Sequence, residues 1–402
     1  MRPARRWTAP CAALLVLASG AAGARAGTVA VDVTAASGIG EDLVHTYGTN
    51  VNDFNDDGHP DLFVVRHFDS FPYLYANDGD GTFTLQPASV FPGSARDDFH
   101  DCPWGDVNRD GRQDVYCTVG AASGSGIKAN QLWIQQPDGT FTEQAGAYGV
   151  RDPFGRGRQA TFVDFNHDAY PDLYVSNTYP RTDERRSINR FFVNVDGERF
   201  RPAPRAGLNG ELGGNTVQAI DFDRDGWQDV LVCTHSDLFL FRNRGGRRFS
   251  DVRRRMGAGK SCLVAAFARV NGDARPDLVR LRRAGLFVDI ARKRRRGFRR
   301  AAVAREGFGN AQQLAMGDTD GDGDAEAYVV RDGPPGDDAP DLLLARRGRR
   351  FTSIPIPQYT EGKGDAATAV DADSNGLSDF VVQNGHWLEL GPIRMIAFFG
   401  AP

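Results

Sequence analysis

A short acidic loop recurs seven times along this chain, at intervals of 48 to 58 residues. Its pattern is Asp-x-Asn/Asp-x-Asp/Asn-Gly-x-x-Asp, and the copies begin at Asp53, Asp106, Asp164, Asp221, Arg269, Asp318 and Asp371. Repetition at this period restricts a chain to a solenoid, a propeller or an array, because one unit cannot bury its apolar face alone. The loop also carries chemistry, since oxygen donors spaced around a tight turn suit a hard cation.

Each repeat has the same internal order. An apolar stretch such as Ala160 to Val163 leads into the loop, and the loop's last acid starts a β-rich run such as Asp61-Leu-Phe-Val-Val65 or Asp229-Val-Leu-Val232. A third apolar run follows (Tyr73 to Tyr75, Gln131 to Ile134, Arg190 to Val193), then a turn, then Phe and a fourth strand. Asp80-Gly-Thr-Phe83 and Asp138-Gly-Thr-Phe141 are examples of that turn, and Asp-Gly between apolar runs signals a hairpin. Four short antiparallel strands make one propeller blade.

There are seven loops but six closing hairpins, at Phe83, Phe141, Phe200, Phe249, Phe298 and Phe351. The seventh repeat ends with Arg394 to Phe399 and lacks its fourth strand, while Val29 to Thr34 belongs to no repeat. The expected fold is therefore all-β, a seven-bladed β-propeller closed by an N-terminal strand that completes the C-terminal blade and removes an exposed sheet edge.

The N-terminus reads as a secretory signal. Arg2, Arg5 and Arg6 precede an apolar stretch from Ala12 to Gly20, and Ala24-Arg25-Ala26 is a small-x-small cleavage site. The apolar stretch is far shorter than the roughly 20 residues a membrane helix needs, and no other segment has that character. The expected division is a signal peptide over residues 1–26 and a single propeller over 27–402, exported as a monomer without a transmembrane segment. Removal of the leader, with four arginines and no acids, changes the formal charge from −4 to −8. Four cysteines remain in the exported chain, and export permits disulfides. Cys102 and Cys117 flank the second loop symmetrically and are expected to pair, while Cys233 and Cys262 lie on neighbouring repeats and form a less certain pair.

The loops share with the EF-hand oxygen donors at positions 1, 3 and 5, Gly at 6 and a backbone carbonyl at 7, and they end with an acid at 9. The first comprises Asp53, Asn55, Asp57, His59 (through its carbonyl) and Asp61; the second Asp106, Asn108, Asp110, Arg112 and Asp114. The third comprises Asp164, Asn166, Asp168, Tyr170 and Asp172, with Ala169 where Gly is expected. The fourth uses Asp221, Asp223, Asp225, Trp227 and Asp229. The sixth uses Asp318, Asp320, Asp322, Asp324 and Glu326, and the seventh Asp371, Asp373, Asn375, Leu377 and Asp379. Oxygen donors without soft ligands favour Ca²⁺ over Zn²⁺ or Cu²⁺, and the flexible geometry favours Ca²⁺ over Mg²⁺. About six Ca²⁺ sites are expected. The fifth loop, with Arg269 in the first position, is expected to be salt-bridged and metal-free.

Phe-x-Asp-x-Asn-x-Asp-Gly-x-x-Asp-Leu joined to Asp-Gly-Thr-Phe-Thr hairpins resembles the FG-GAP/VCBS repeats of integrin-α-type propellers. Asn77 to Phe83, taken with Val31 to Gly40, is similar to secreted proteins of the ASPIC/UnbV type. The C-terminal segment of those proteins is not expected here, because the sequence ends on a propeller strand. The resemblance implies a calcium-binding propeller; such propellers serve adhesion, glycan binding and, in some cases, polysaccharide lysis.

Two surfaces are candidates for a partner. The connections opposite the acidic loops are the longest (Val119 to Asn130, Asn177 to Asn189 with Tyr179 and Arg181, and Arg331 to Asp341) and suit a protein or glycan ligand. The hairpin tips of repeats four to six carry Arg242, Arg244, Arg247, Arg248, Arg292 to Arg296, Arg299, Arg300, Arg346, Arg347, Arg349 and Arg350. They are expected to form a rim able to hold an anionic polymer. A non-catalytic binding or adhesion module is the expected function, with a lyase-like polysaccharide enzyme as the alternative. Against the enzyme, no nucleophile motif is found, the histidines at 45, 59, 67, 100, 167, 235 and 386 are scattered along the chain, and His100, His235 and His386 fall at different blade positions and need not converge.

Overall fold

In a computed structural model, the described residues are 28–399, apart from 41–42, 68–70, 94–96, 121–127, 179–186, 209–212, 235, 294–296, 306–307, 309–310, 332–339, 358–365 and 386–389. The expected leader, Tyr179, Arg181, Arg294 to Arg296, His235 and His386 lie outside them.

Seven antiparallel sheets follow one another along the chain. Blade one comprises Thr46–Asn52, Asp61–Arg66, Tyr73–Asn77 and Phe83–Leu85, hydrogen-bonded in that order. Blades two to six repeat the plan, with the first strand of blade two split into Phe99–Asp101 and Trp104–Gly105. In blade seven, Ala366–Val370, Asp379–Gln383 and Ile393–Phe399 are completed by Val29–Asp32, with Val29 opposite Phe399 and Asp32 opposite Ile396. The N-terminal strand thus closes the ring where the hairpin count placed it. First strands lie against first strands all the way round, blade seven touching blade one, so they line the central axis.

Residues packing between blades hold the ring together. In a strand, successive side chains point to opposite faces, and in blade one Leu62 and Val64 face blade seven while Phe63 and Val65 face blade two. Each of the seven blade interfaces has its own apolar cluster. Second strands are buried on both faces and read as continuous apolar runs for that reason. The hairpin phenylalanines Phe83, Phe141, Phe200, Phe249 and Phe298 are all buried in these clusters, each worth about 1.5–3 kcal/mol of transfer free energy. Both disulfides form. Cys102–Cys117 ties the first and second strands of blade two, and Cys233–Cys262 links blade four to the start of blade five. No helix among the described residues is long and apolar enough to cross a membrane.

Candidate functional site

The acidic loops connect first to second strands on one face of the ring. Two backbone positions take left-handed geometry in six of the seven loops; in the fifth, Gly272 at position 4 does and Ala274 at position 6 does not. Position 6 holds Gly58, Gly111, Gly226, Gly323 and Gly376, all with φ between 83° and 92°, and Ala169 takes the same region at φ 69°. Position 4 is left-handed as well, at Asp56, Arg109, His167, Arg224 and Ser374. The sequence pattern announced the first requirement through its glycines and concealed the second.

Positions 1, 3 and 5 fold inward through Asx-type turns. Asp53 accepts the Asp57 N–H at 3.1 Å and the Gly58 N–H at 2.9 Å, and Asp106 and Asp221 repeat this pattern. The position-7 N–H groups of His59, Arg112, Tyr170, Trp227, Asp324 and Leu377 donate to the position-5 side chains at 2.7–3.1 Å. Carboxylate oxygens from Asp371, Asp373 and Asp379 lie within 4.8 Å of one another, as do those of Asp318, Asp320 and Glu326, and of Asp221, Asp223 and Asp225. Asp164 Oδ1 and Asp371 Oδ1 are buried without a hydrogen-bond partner. Orphaned carboxylate oxygens converging on one point fit a hard cation.

Position 9 plays a different part. Asp61, Asp114, Asp172, Asp229, Glu326 and Asp379 are fully buried. In Asp61, Asp114, Asp172 and Asp379 one oxygen accepts the N–H of loop position 2 and the other an N–H of the third strand. Burial raises Asp61 and Asp379 to about 7 and Asp114, Asp172, Asp229 and Glu326 to about 8, and the neighbouring loop carboxylates add to this. This acid is a staple between loop and third strand as well as a possible cation donor.

The loops also join blade to blade. Gln135, Asn194 and Asn243, at the ends of third strands, donate their side-chain amides to the position-2 carbonyl of the preceding blade's loop: Phe54 at 3.0 Å, Val107 at 2.8 Å and Phe165 at 2.9 Å. An amide residue just before the hairpin turn recurs in the sequence and marks this role. Around the face, position 4 of one loop meets position 7 of the next. Arg109 lies over the Tyr170 ring, His167 stacks on Trp227 at 3.7 Å, the Gly272 N–H donates to Asp324 at 2.5 Å, and Ser374 meets His59 at 3.4 Å across the ring closure.

Arginines change three loops. Arg242 reaches Asp223 at 2.7 Å and also pairs with Asp225, while Arg347 reaches Asp320 at 2.8 Å and Asp322 at 3.7 Å. Arg112 pairs with Asp110 of its own loop. Two members of the expected arginine rim, Arg242 and Arg347, therefore serve their own acidic loops; Arg346 donates to the Val270 carbonyl and Arg244 to Ser250. In the fifth loop Lys293 faces Asp273 at 4.0 Å, and the Arg269 carbonyl accepts the Ala325 N–H.

The rim is cut by a cleft of about 360 Å³ between blades four and five. It is lined by the apolar Phe222, Met256 and Phe298, by the cationic Arg224, Arg275, Arg292 and Lys293, and by one acid, Asp223, which pairs with Arg242. Arg224 and Arg275 hold positions 4 and 7 of consecutive loops, so two like charges stand where other loop pairs form a joint.

Histidines distant in sequence do converge: His67 Nδ1 lies 2.9 Å and His100 Nε2 3.3 Å from the Asp98 carboxylate, on the face opposite the acidic loops. Packing of consecutive blades brings the end of one blade's second strand beside the next blade's first strand, a proximity that sequence distance does not report. Burial, then the nearby Arg158 charge, lowers His100 to about 3.

A ring of seven blades joined by repeated acidic loops defines the class, a seven-bladed β-propeller carrying FG-GAP-like repeats. The FG-GAP-like repeat model matches residues 53–117, 106–175 and 221–280. The chain is 28% identical over 131 residues to cartilage acidic protein 1 of Mus musculus, a match that covers 32% of this chain and 19% of that protein. A solved structure, described as the basis of specific recognition of non-reducing terminal N-acetylglucosamine by an Agrocybe aegerita lectin, aligns with TM-score 0.51 and 16% identity. The alignment covers 79% of this chain and 80% of that one, and shows the shared fold.

Proposed function

We propose that this chain is an exported, calcium-stabilised, non-catalytic binding module whose ligand is an anionic glycan held in the cleft between blades four and five. The observation that carries this reading is the pair Arg224 and Arg275, with Arg292 and Lys293, beside an apolar lining. Among the described residues neither Arg224 nor Arg275 pairs with a carboxylate. A carboxylate or sulfate placed between the two guanidiniums would make the joint their own charges prevent, and a sugar ring has an apolar face for that lining. A propeller lectin among the structural neighbours agrees with glycan recognition in kind. The N-terminal leader and the likeness to cartilage acidic protein 1 support an extracellular setting.

Calcium enters through the loops. Asp53, Asn55, Asp57 and their counterparts would hold it, and the bound ion would neutralise carboxylates that otherwise repel one another. Loops one, three and seven fit best, since no arginine is paired with their carboxylates among the described residues.

Retention on heparin and on polygalacturonate, measured against salt concentration, tests the cleft. Loss of retention in Arg224→Glu/Arg275→Glu, with a melting temperature that still responds to EGTA, supports it. Retention unchanged by the reversal moves the ligand elsewhere, and new unsaturated chain ends in the polysaccharide would replace the binding reading with a lyase.

A further inference from the structure

Three consecutive first strands carry a β-bulge near the start of the strand, on the face opposite the acidic loops. Pairing slips between Thr46 and Gly48 in blade one, between Phe99 and Asp101 in blade two, and between Gly157 and Gln159 in blade three. The extra residues are Tyr47, His100 and Arg158. A bulge re-aims a side chain at the cost of ladder pairing, and these three are aimed at one place. The Tyr47 and His100 rings meet edge to face at 4.4 Å, and Arg158 Nη1 lies 2.9 Å from His100 Nε2.

His67 and Asp98 complete the group. His67 lies just after the second strand of blade one, and its ring is 4.9 Å from that of His100. The ligand-type atoms of His67, Asp98 and His100 all lie within 4.8 Å of one another. The Asp98 carboxylate spans the two imidazoles, with His67 Nδ1 2.9 Å from one oxygen and His100 Nε2 3.3 Å from the other, close to the roughly 3.3 Å between donors around a tetrahedral ion with bonds of about 2.0–2.1 Å. The neighbouring backbone is kept bare, since a Cβ on Gly120 would sit 2.2 Å from Asp98 Oδ2 and 3.0 Å from His100 Nε2.

We propose that His67, Asp98 and His100 form a transition-metal site of the zinc class, distinct from the all-oxygen loops on the other face. Two imidazoles and a carboxylate select zinc, cobalt or nickel over calcium. His100 and His67 side chains are 2% and 10% exposed and Asp98 31%, so the site is walled by imidazole and opens to solvent past the carboxylate. Three protein donors leave a coordination position on that side. The Arg158 guanidinium, 2.9 Å from His100 Nε2, would compete with an ion for that nitrogen. Its other bond among the described residues is to the carbonyl of Gly157, its own neighbour, at 2.9 Å, and the side chain is only partly buried.

The test titrates Co²⁺, then Zn²⁺, into the full exported chain stripped with EDTA and held in saturating Ca²⁺ so that the oxygen loops are filled. One equivalent should bind with a visible cobalt band, and Zn²⁺ should displace it. His67→Ala/His100→Ala should lose on the order of 100-fold in affinity, and Arg158→Gln should gain on the order of tenfold because the competing cation is gone. Should the double variant fail to fold, Asp98→Asn, on the open side of the cluster, replaces it with the same expected loss. Equal affinity in wild type and in these variants overturns the proposal, as does a wild type that shows no cobalt band at micromolar protein.

Discussion

Asp172 allows the two duties of an acidic loop to be separated. It is fully buried, and its carboxylate accepts the Phe165 N–H at 2.9 Å and the Asn194 N–H at 2.8 Å. Asn194 in turn donates to the Val107 carbonyl of blade two. Asp172→Ala removes both acceptors in a region closed to water. Each stranded N–H costs about 1–3 kcal/mol, so the substitution should destabilise blade three by roughly 2–6 kcal/mol. Asp172→Asn keeps one carbonyl acceptor and turns an NH₂ toward the other N–H, for about half that loss. The assay is hydrogen exchange of peptides containing Phe165 and Asn194, in EGTA, so that no cation contributes. A loss of about 3 kcal/mol in local opening corresponds to roughly a hundredfold drop in protection. Asp168→Asn, at loop position 5, should leave exchange in EGTA nearly unchanged and weaken only the protection added by Ca²⁺. If Asp172→Ala matches wild type in EGTA and differs only in Ca²⁺, the position-9 acid is a ligand alone and the staple reasoning fails.

Four further outcomes are expected. Arg242→Gln frees Asp223 and Asp225 and should tighten Ca²⁺ at the fourth loop about tenfold or more, by the energy of a charged hydrogen bond; an unchanged titration refutes the competition. Cys102→Ser/Cys117→Ser opens a closure of 15 residues and should cost about 3 kcal/mol in a urea titration, with no loss placing the stability of blade two elsewhere. Burial raises the Asp341 carboxyl from 3.8 to about 6, so the folded state holds this proton more tightly, and its contribution, full below about pH 4, is lost as pH rises through 6. Asp341→Asn should flatten that part of the stability profile, and an identical slope in both proteins counts against it. Removing the chain before Ala35 uncovers the edge of Ile393–Phe399 and should give concentration-dependent association on gel filtration; a well-behaved monomer would show that the closing strand is dispensable.

What could be read from the sequence follows from what repeats. Seven copies of a loop fixed the blade number, and the unmatched Val29 to Thr34 located the closure, because strand pairing demands a partner for the Ile393–Phe399 edge. The symmetric placement of Cys102 and Cys117 anticipated their bond. Position 9 was legible as an acid but not as a staple, since its second partner comes from the third strand at a variable distance: Asn77 for Asp61, but Asn194 for Asp172. The left-handed position 4 left no glycine in most copies; Arg109, His167 and Ser374 take that geometry and reach the next loop. His67 and His100 were unreadable as a pair, since a residue ending one blade's second strand meets the following blade's first strand only once consecutive blades pack.

Within one chain, the repeats act as controls for each other. First strands in blades four, five and seven pair with their neighbours without a slip. A bulge is therefore not something blade closure requires, and blade six, with its slip at Ala311 and Gln313, shows that one can occur alone. Three in succession each deliver a polar or aromatic side chain to the same point, at the cost of ladder hydrogen bonds. The cleft between blades four and five is a second break in the pattern, with Arg224 and Arg275 facing each other where neighbouring loops stack or bond. Local violations of an otherwise consistent design are where function is expected. By that reasoning the acidic loops, present in every blade and engaged in joints and staples, hold the ring together, while the proposed glycan cleft and the proposed metal site lie at breaks in the sevenfold pattern, one on each face.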